Sequence, residues 1–161
     1  MKRGFLDVTI RISPAYEIRL VGAHLKSKVA SPHEDDALMR RHEAFLLRQH
    51  IDEILAAKPN TRLLVYGDFN DTRDQPAIRE IIGTRGGANY LTDLQPRDAV
   101  GDRWTEYWPV EDVYSRIDYF FANAALVHEI VAGKSTIDRS QSWHAASDHR
   151  AICTVIQPRA L

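Results

Sequence analysis

Four short segments bring carboxylates, imidazoles and an amide to points where strands are predicted to begin or end: His24-Leu25-Lys26-Ser27, Gly67-Asp68-Phe69-Asn70, Ser115-Arg116-Ile117-Asp118-Tyr119 and Ser147-Asp148-His149. Taken singly, each has a plain structural explanation. A lone histidine is more often structural than catalytic, and Asp and Asn in a turn commonly cap backbone amides. An Asp can sit at a wet strand edge, and Ser147-Asp148 can cap a loop. Taken together they suggest chemistry. In an extended segment residues i and i+2 point the same way, so Asp68 and Asn70 can face one site. A carboxylate at Asp118, leading into Tyr119-Phe120-Phe121, is costly unless paired. Open α/β sheets place reactive groups at strand ends. No serine or cysteine stands in an obvious nucleophile elbow, so the set suits metal-assisted attack by water rather than a covalent intermediate.

Two metal readings can be set aside on spacing. A calcium loop starting at Asp68 needs glycine at its sixth position and glutamate at its twelfth; Arg73 and Arg79 stand there. His144 and His149 do not form the H-E-x-x-H pattern of a zinc hydrolase.

The elements that must carry these residues follow from patterning. Residues 5 to 12 alternate as a strand with Leu6, Val8, Ile10 and Ile12 on one face, Ser13-Pro14-Ala15 turns, and residues 17 to 24 form a second strand, giving a hairpin. Ser31-Pro32-His33-Glu34 reads as a helix start, and Ala44, Leu47, Ile51, Ile54 and Leu55 form an apolar stripe that ends at Lys58-Pro59-Asn60. Leu63 to Tyr66 is a short apolar run, expected as a strand buried on both faces. A shorter helix is predicted over 75 to 82 and a glycine-rich loop over 83 to 88. Strands are predicted at 117 to 121, near 126 to 131, and at 151 to 156. The stretches 98 to 116 and 133 to 148 read as irregular or surface loop. Trp104 to Trp108 can stack on bases, sit at a lipid surface, or pack on its own neighbours.

Composition bounds the rest. The 161 residues suffice for one domain, and 21 basic against 22 acidic residues give no overall pull toward nucleic acid. The single cysteine, Cys153, forms no internal disulfide and is expected to be a small buried hydrophobe. No signal peptide or membrane-spanning run is visible, so a cytoplasmic location is the default expectation.

The order HLKS, GDFN, SRIDY, SDH resembles the endonuclease/exonuclease/phosphatase family, over about Phe5 to Ile156. Arg103-Trp104-Thr105 is similar to bacterial members. The resemblance implies an α/β (α+β) fold that is part of a four-layer α/β/β/α sandwich of the DNase I-like kind, with residues 1–161 as a single domain lacking its N-terminal portion. It implies a phosphodiester hydrolase acting by in-line attack of activated water. Asp68 would orient or deprotonate that water, and Asn70 would bond the scissile phosphate. His149 would act as base or transition-state stabiliser, held by Asp118, and His24 as proton donor or phosphate contact. Asp148, Asp68 and Asn70 would hold Mg²⁺ or Mn²⁺. The family's strand-end asparagine and metal-binding glutamate have no matching motif. The resemblance therefore leaves two expectations: a hydrolase inactive alone, or a non-catalytic remnant or binding module of the same fold. The substrate is expected to be nucleic acid, a phospholipid or a small phosphoester. A homodimer or complementing chain is expected to cover an exposed sheet face.

Overall fold

The computed structural model describes residues 4–29, 35–140 and 142–159. The elements run β1 (Leu6–Ser13), β2 (Tyr16–Gly22), α1 (Asp36–Ala57), β3 (Leu63–Asp68), α2 (Pro76–Ile82), β4 (Thr92–Asp93), β5 (Glu106–Trp108), β6 (Val113–Ser115), β7 (Asp118–Ala122), α3 (Ala124–Val127), β8 (Thr136–Ile137), α4 (Trp143–Ala146) and β9 (Ile152–Cys153). The main sheet has five strands in the order β1-β2-β3-β7-β4. β2 and β3 are parallel, joined through α1, while β1–β2 and β3–β7 are antiparallel.

Pleat alternation divides this sheet into two apolar faces. Val21, Leu63, Val65, Tyr119 and Phe121 face α1 and α2, and pack with Ala44, Leu47, Ile51, Ile54 and Leu55 of the predicted stripe. Ile18, Leu64 and Ala122 point the other way, toward Leu126, Ile130 and Ile156. Each fully buried Leu or Ile contributes roughly 1.5–3 kcal/mol, so the first cluster anchors the sheet on which the site is built. Among the described residues no helix is long and apolar enough to cross a membrane.

Several expectations are corrected. The helix start expected at Ser31 to Glu34 lies outside the described residues; the described cap is Asp35, whose carboxylate accepts from the Leu38 amide. Residues 126 to 131 are not a strand. Asn123 caps α3 there by accepting from the Leu126 amide, and only Ile130 bridges to Ile156. The run at 151 to 156 forms a strand over Ile152–Cys153 alone, and Cys153 is exposed. The segment 98 to 116 contains the β5–β6 hairpin, and 133 to 148 contains β8 and α4.

Candidate active site

The site forms where β3 and β7 meet. Asp68 and Asp118 are register partners across the antiparallel pair, and directly opposed residues project from the same face. That face is the one turned away from α1, so both carboxylates look toward the segment leading into β9. β2 runs on beside β3 past its last strand residue: the Ala23 amide donates to the Tyr66 carbonyl and the Leu25 amide to the Asp68 carbonyl. This extension sets His24 beside Asp68, with Nε2 at 3.3 Å from Oδ2. Gly67 makes the approach of the two backbones possible. Its φ is +141°, and a Cβ there would lie 1.9 Å from the Ala23 carbonyl oxygen.

His149 arrives from the other side. Its backbone bridges Glu106 at the base of the hairpin, and the next amide, of Arg150, donates to the Thr105 carbonyl at 2.7 Å. Its ring Nδ1 lies 2.9 Å from Asp118 Oδ2. Ligating atoms of Asp68, Asp118 and His149 all fall within 4.8 Å of one another. The bond to Asp118 raises the His149 pKa to about 9 against a desolvation cost, with the charges of Asp68 and Asp148 adding to the rise. His149 is therefore a cation at neutral pH. Asp68 is pushed above the ordinary carboxylate range, first by burial and then by the Asp118 charge.

Asn70 reaches the site in a different way from the one its spacing suggests. The strand ends at Asp68, and Asn70 takes a left-handed backbone conformation with φ 51°. Its amide N–H and its side-chain amide both donate to the Asp68 carboxylate, at 2.8 and 3.1 Å, and the side chain also donates to the Leu25 carbonyl. The turn explanation holds, and the turn's two bonds from Asn70 fix the Asp68 carboxylate in the candidate site. Asp148 is exposed and lies outside the close group, acting on His149 through charge.

Three supporting residues stand outside the four motifs, Thr105 having entered only as the end of the Arg103-Trp104-Thr105 segment. Thr105 is fully buried and its hydroxyl accepts from the Ile117 and Asp118 amides, both at 3.2 Å, fixing the strand that carries Asp118. Arg150 is buried; it donates to the Asp98 carboxylate and to the Trp104 and Asp138 carbonyls, and lies over the Trp104 ring at 4.1 Å. Glu106 is half-buried. Its pKa is raised by burial, opposed by the His149 charge and reinforced by Asp68, Asp118 and Asp148, so its carboxyl lies within the electrostatic reach of the group. Its only sequence signal is that it follows Thr105. The aromatic segment packs on its neighbours: Trp104 contacts Tyr114 and Trp143, and Tyr107 stacks on Tyr114.

The donor set fits a hard divalent cation. Two half-buried carboxylates stand side by side, and their mutual repulsion is the kind a cation relieves. Asp68 and Asp118 would hold such an ion, with Glu106 and Asp148 adding negative field.

Comparison with known proteins identifies the family and the fold. A family model described as "Endonuclease/Exonuclease/phosphatase family" matches residues 2–149. No curated protein sequence matches. Among solved structures, the chain is similar to the endonuclease domain of TRAS1, a telomere-specific non-LTR retrotransposon, with a TM-score of 0.64 at 21% identity, covering 97% of this chain and 64% of that one. It is similar to truncated Caenorhabditis elegans TDP2, with a TM-score of 0.63 at 18% identity, covering 92% of this chain and 57% of that one. It is also similar to Staphylococcus aureus beta toxin, with a TM-score of 0.62 at 15% identity, covering 96% of this chain and 57% of that one. The chain thus spans less than two thirds of the length of the structures it matches.

Proposed function

This chain belongs to the endonuclease/exonuclease/phosphatase family, and from that membership we propose that it is a metal-dependent phosphoester hydrolase domain using water as nucleophile. The observation that carries the proposal is the convergence of Asp68, Asp118 and His149, distant in sequence, within 4.8 Å. In this reading Asp68, raised by burial and by Asp118, takes a proton from a water aimed at phosphorus as the new P–O bond forms and the bond to the leaving oxygen breaks. His149 is already a cation, so it serves as stabiliser of the phosphoryl oxygens rather than as base, and Asp118 keeps it charged and oriented. His24 stands at the open end of Asp68, half exposed, as proton donor to the leaving oxygen or as phosphate contact. Asn70 fixes the Asp68 carboxylate, and its side-chain amide would reach phosphate or metal by giving up a bond to Asp68 or to the Leu25 carbonyl. Bound Mg²⁺ or Mn²⁺ supplies charge relief to the phosphoryl oxygens.

The test is phosphodiesterase activity toward a chromogenic diester with Mg²⁺ or Mn²⁺. His149→Ala and Asp68→Ala are each expected to lose it by at least about a hundredfold, the scale of a lost acid–base or oxyanion group. Equal activity in both variants and the parent overturns the reading. Nucleic acid, phospholipid head group and small phosphoester are the substrate classes to be compared. A second reading is a binding module of the same fold, in which the Asp68, Asp118 and His149 group holds a cation without turnover. Calorimetric titration separates the two: saturable Mg²⁺ or Mn²⁺ binding that depends on Asp68 or Asp148, without turnover, favours the module.

A further inference from the structure

The outer edge of the main sheet carries a pattern the site does not use. β1 is the terminal strand, and all eight of its residues are exposed. Leu6, Val8 and Ile10 share the face of Gly22, Leu20 and Ile18, yet they remain 57%, 39% and 45% exposed. An exposed apolar edge strand is a template for pairing with another strand. The opposite face carries Asp7, Thr9 and Arg11, and that face selects the partner. When Leu6-Asp7-Val8-Thr9-Ile10-Arg11-Ile12 is laid antiparallel on a second copy of itself with Thr9 opposite Thr9, Val8 meets Ile10, Leu6 meets Ile12, and Asp7 meets Arg11. Sliding by two residues sets Asp7 opposite Thr9 or Ser13 instead. Sliding by one sets apolar side chains opposite charged ones.

Contacts within the chain extend this match. Arg11 already bonds Glu17 at 2.7 Å, and Asp7 holds Arg19 through two bonds at 2.8 and 2.7 Å. In the Thr9-centred register the charges alternate across four strands: Glu17 and Arg11 of one copy, then Asp7 and Arg19 of the other, repeated by the two-fold axis. Arg11 is 71% exposed, so its guanidinium can hold Glu17 and also meet a carboxylate across the edge. We infer that β1 is a self-complementary edge on which a second copy of this chain pairs antiparallel about Thr9, making one continuous sheet. The assembly closes at two, because the far edge of each sheet is β4, only two residues long and unable to propagate the ladder. The inference is independent of the proposed chemistry, since Asp68 and Asp118 lie on strands that β2 separates from β1.

Light scattering on the gel-filtered protein should give about twice the 18.4 kDa of one chain across the micromolar range. Asp7→Arg alone and Arg11→Asp alone should each shift to the monomer, because each then faces only its own charge. Mixing the two variants should restore a dimer. Asp7 also braces Arg19 and His50, so a second measurement covers a folding defect in Asp7→Arg. In a Cys153→Ser background, Thr9→Cys should link to its own mate on mild oxidation, the Cα atoms of an opposed antiparallel pair lying about 4.5–5.5 Å apart. Val8→Cys, opposite Ile10, should not. A parent that stays at 18.4 kDa, or a dimer in which Thr9→Cys forms no link, overturns the inference.

Discussion

At the scale of single residues, the pairing of His149 with Asp118 makes the sharpest statement. The folded pKa of His149, raised to about 9 from 6.5, means the charged pair stabilises the fold fully below about 6.5 and loses that contribution as pH rises through about 9. NMR titration of the His149 ring in metal-free protein should show the midpoint near 9, and Asp118→Asn, which removes the largest cause, should drop it toward 6.5. A midpoint that does not move would mean that Asp118 does not hold the ring. His24, Asp68, Asn70, Asp118 and His149 were legible because four motifs occur in a fixed order at strand ends. The structural roles of Arg150, Thr105 and Glu106 were not, although Thr105 ends the Arg103-Trp104-Thr105 segment that the resemblance includes. A buried arginine beside a histidine, or a threonine and a glutamate in an aromatic loop, carries no pattern until the Asp98 carboxylate, the Asp118 amide and the neighbouring charges are seen around it.

At the scale of elements, the site depends on two tight junctions. At the first, β2 and β3 close on Gly67. Gly67→Ala must move the Ala23 carbonyl, 1.9 Å from the new Cβ, and strain a φ of +141°; the expected cost is about 3 kcal/mol or more in urea unfolding, with His24 displaced from Asp68. A stability within experimental error of the parent would show that the strands can separate there freely. At the second, Arg150 ties β9's leading segment to the loop at Asp98. Burial alone would raise the Asp98 pKa, but the Arg150 guanidinium and the Asp102 and Val100 amides hold it down to about 2. Its contribution is present above the ordinary value of 3.8 and is lost as pH falls toward 2. Asp98→Asn should therefore lower the urea midpoint at pH 7 and flatten the acid limb between about 4 and 2; an unchanged acid limb would place the acid sensitivity elsewhere. The long elements were legible because their apolar periods are unambiguous, as in the stripe from Ala44 to Leu55. The short ones were not: Leu126, Val127, Ile130 and Val131 are an apolar run of a length that fits strand or helix equally, and the Asn123 cap decides for helix. Cys153 was misplaced for a related reason. An apolar run of six spans both faces of a strand only where both faces are covered, and here one is open.

At the scale of the whole molecule, stability and chemistry pull against each other at one carboxylate. Ionising Asp68 carries a cost, because burial and the Asp118 charge both favour its protonated form. That cost is absent at acid pH, grows as pH rises past the ordinary value of 3.8, and is complete once pH exceeds the raised folded pKa. Asp68→Asn removes one of the two repelling charges, so the metal-free variant should melt a degree or more above the parent while losing the proposed activity, a trade expected where a fold preserves an unfavourable arrangement for function. A divalent cation relieves the same repulsion by binding. At a hundred times its Kd it should stabilise the parent by about 2.7 kcal/mol, roughly 5–10 °C in Tm for a chain of this size. The two effects are exclusive if they share a cause: Mg²⁺ should raise the Tm of the parent and leave that of Asp68→Asn nearly fixed. Scanning calorimetry of both proteins with and without Mg²⁺ decides the matter. If Asp68→Asn melts below the parent without metal, or gains as much from Mg²⁺ as the parent does, the paired carboxylates are not where a cation and this fold meet.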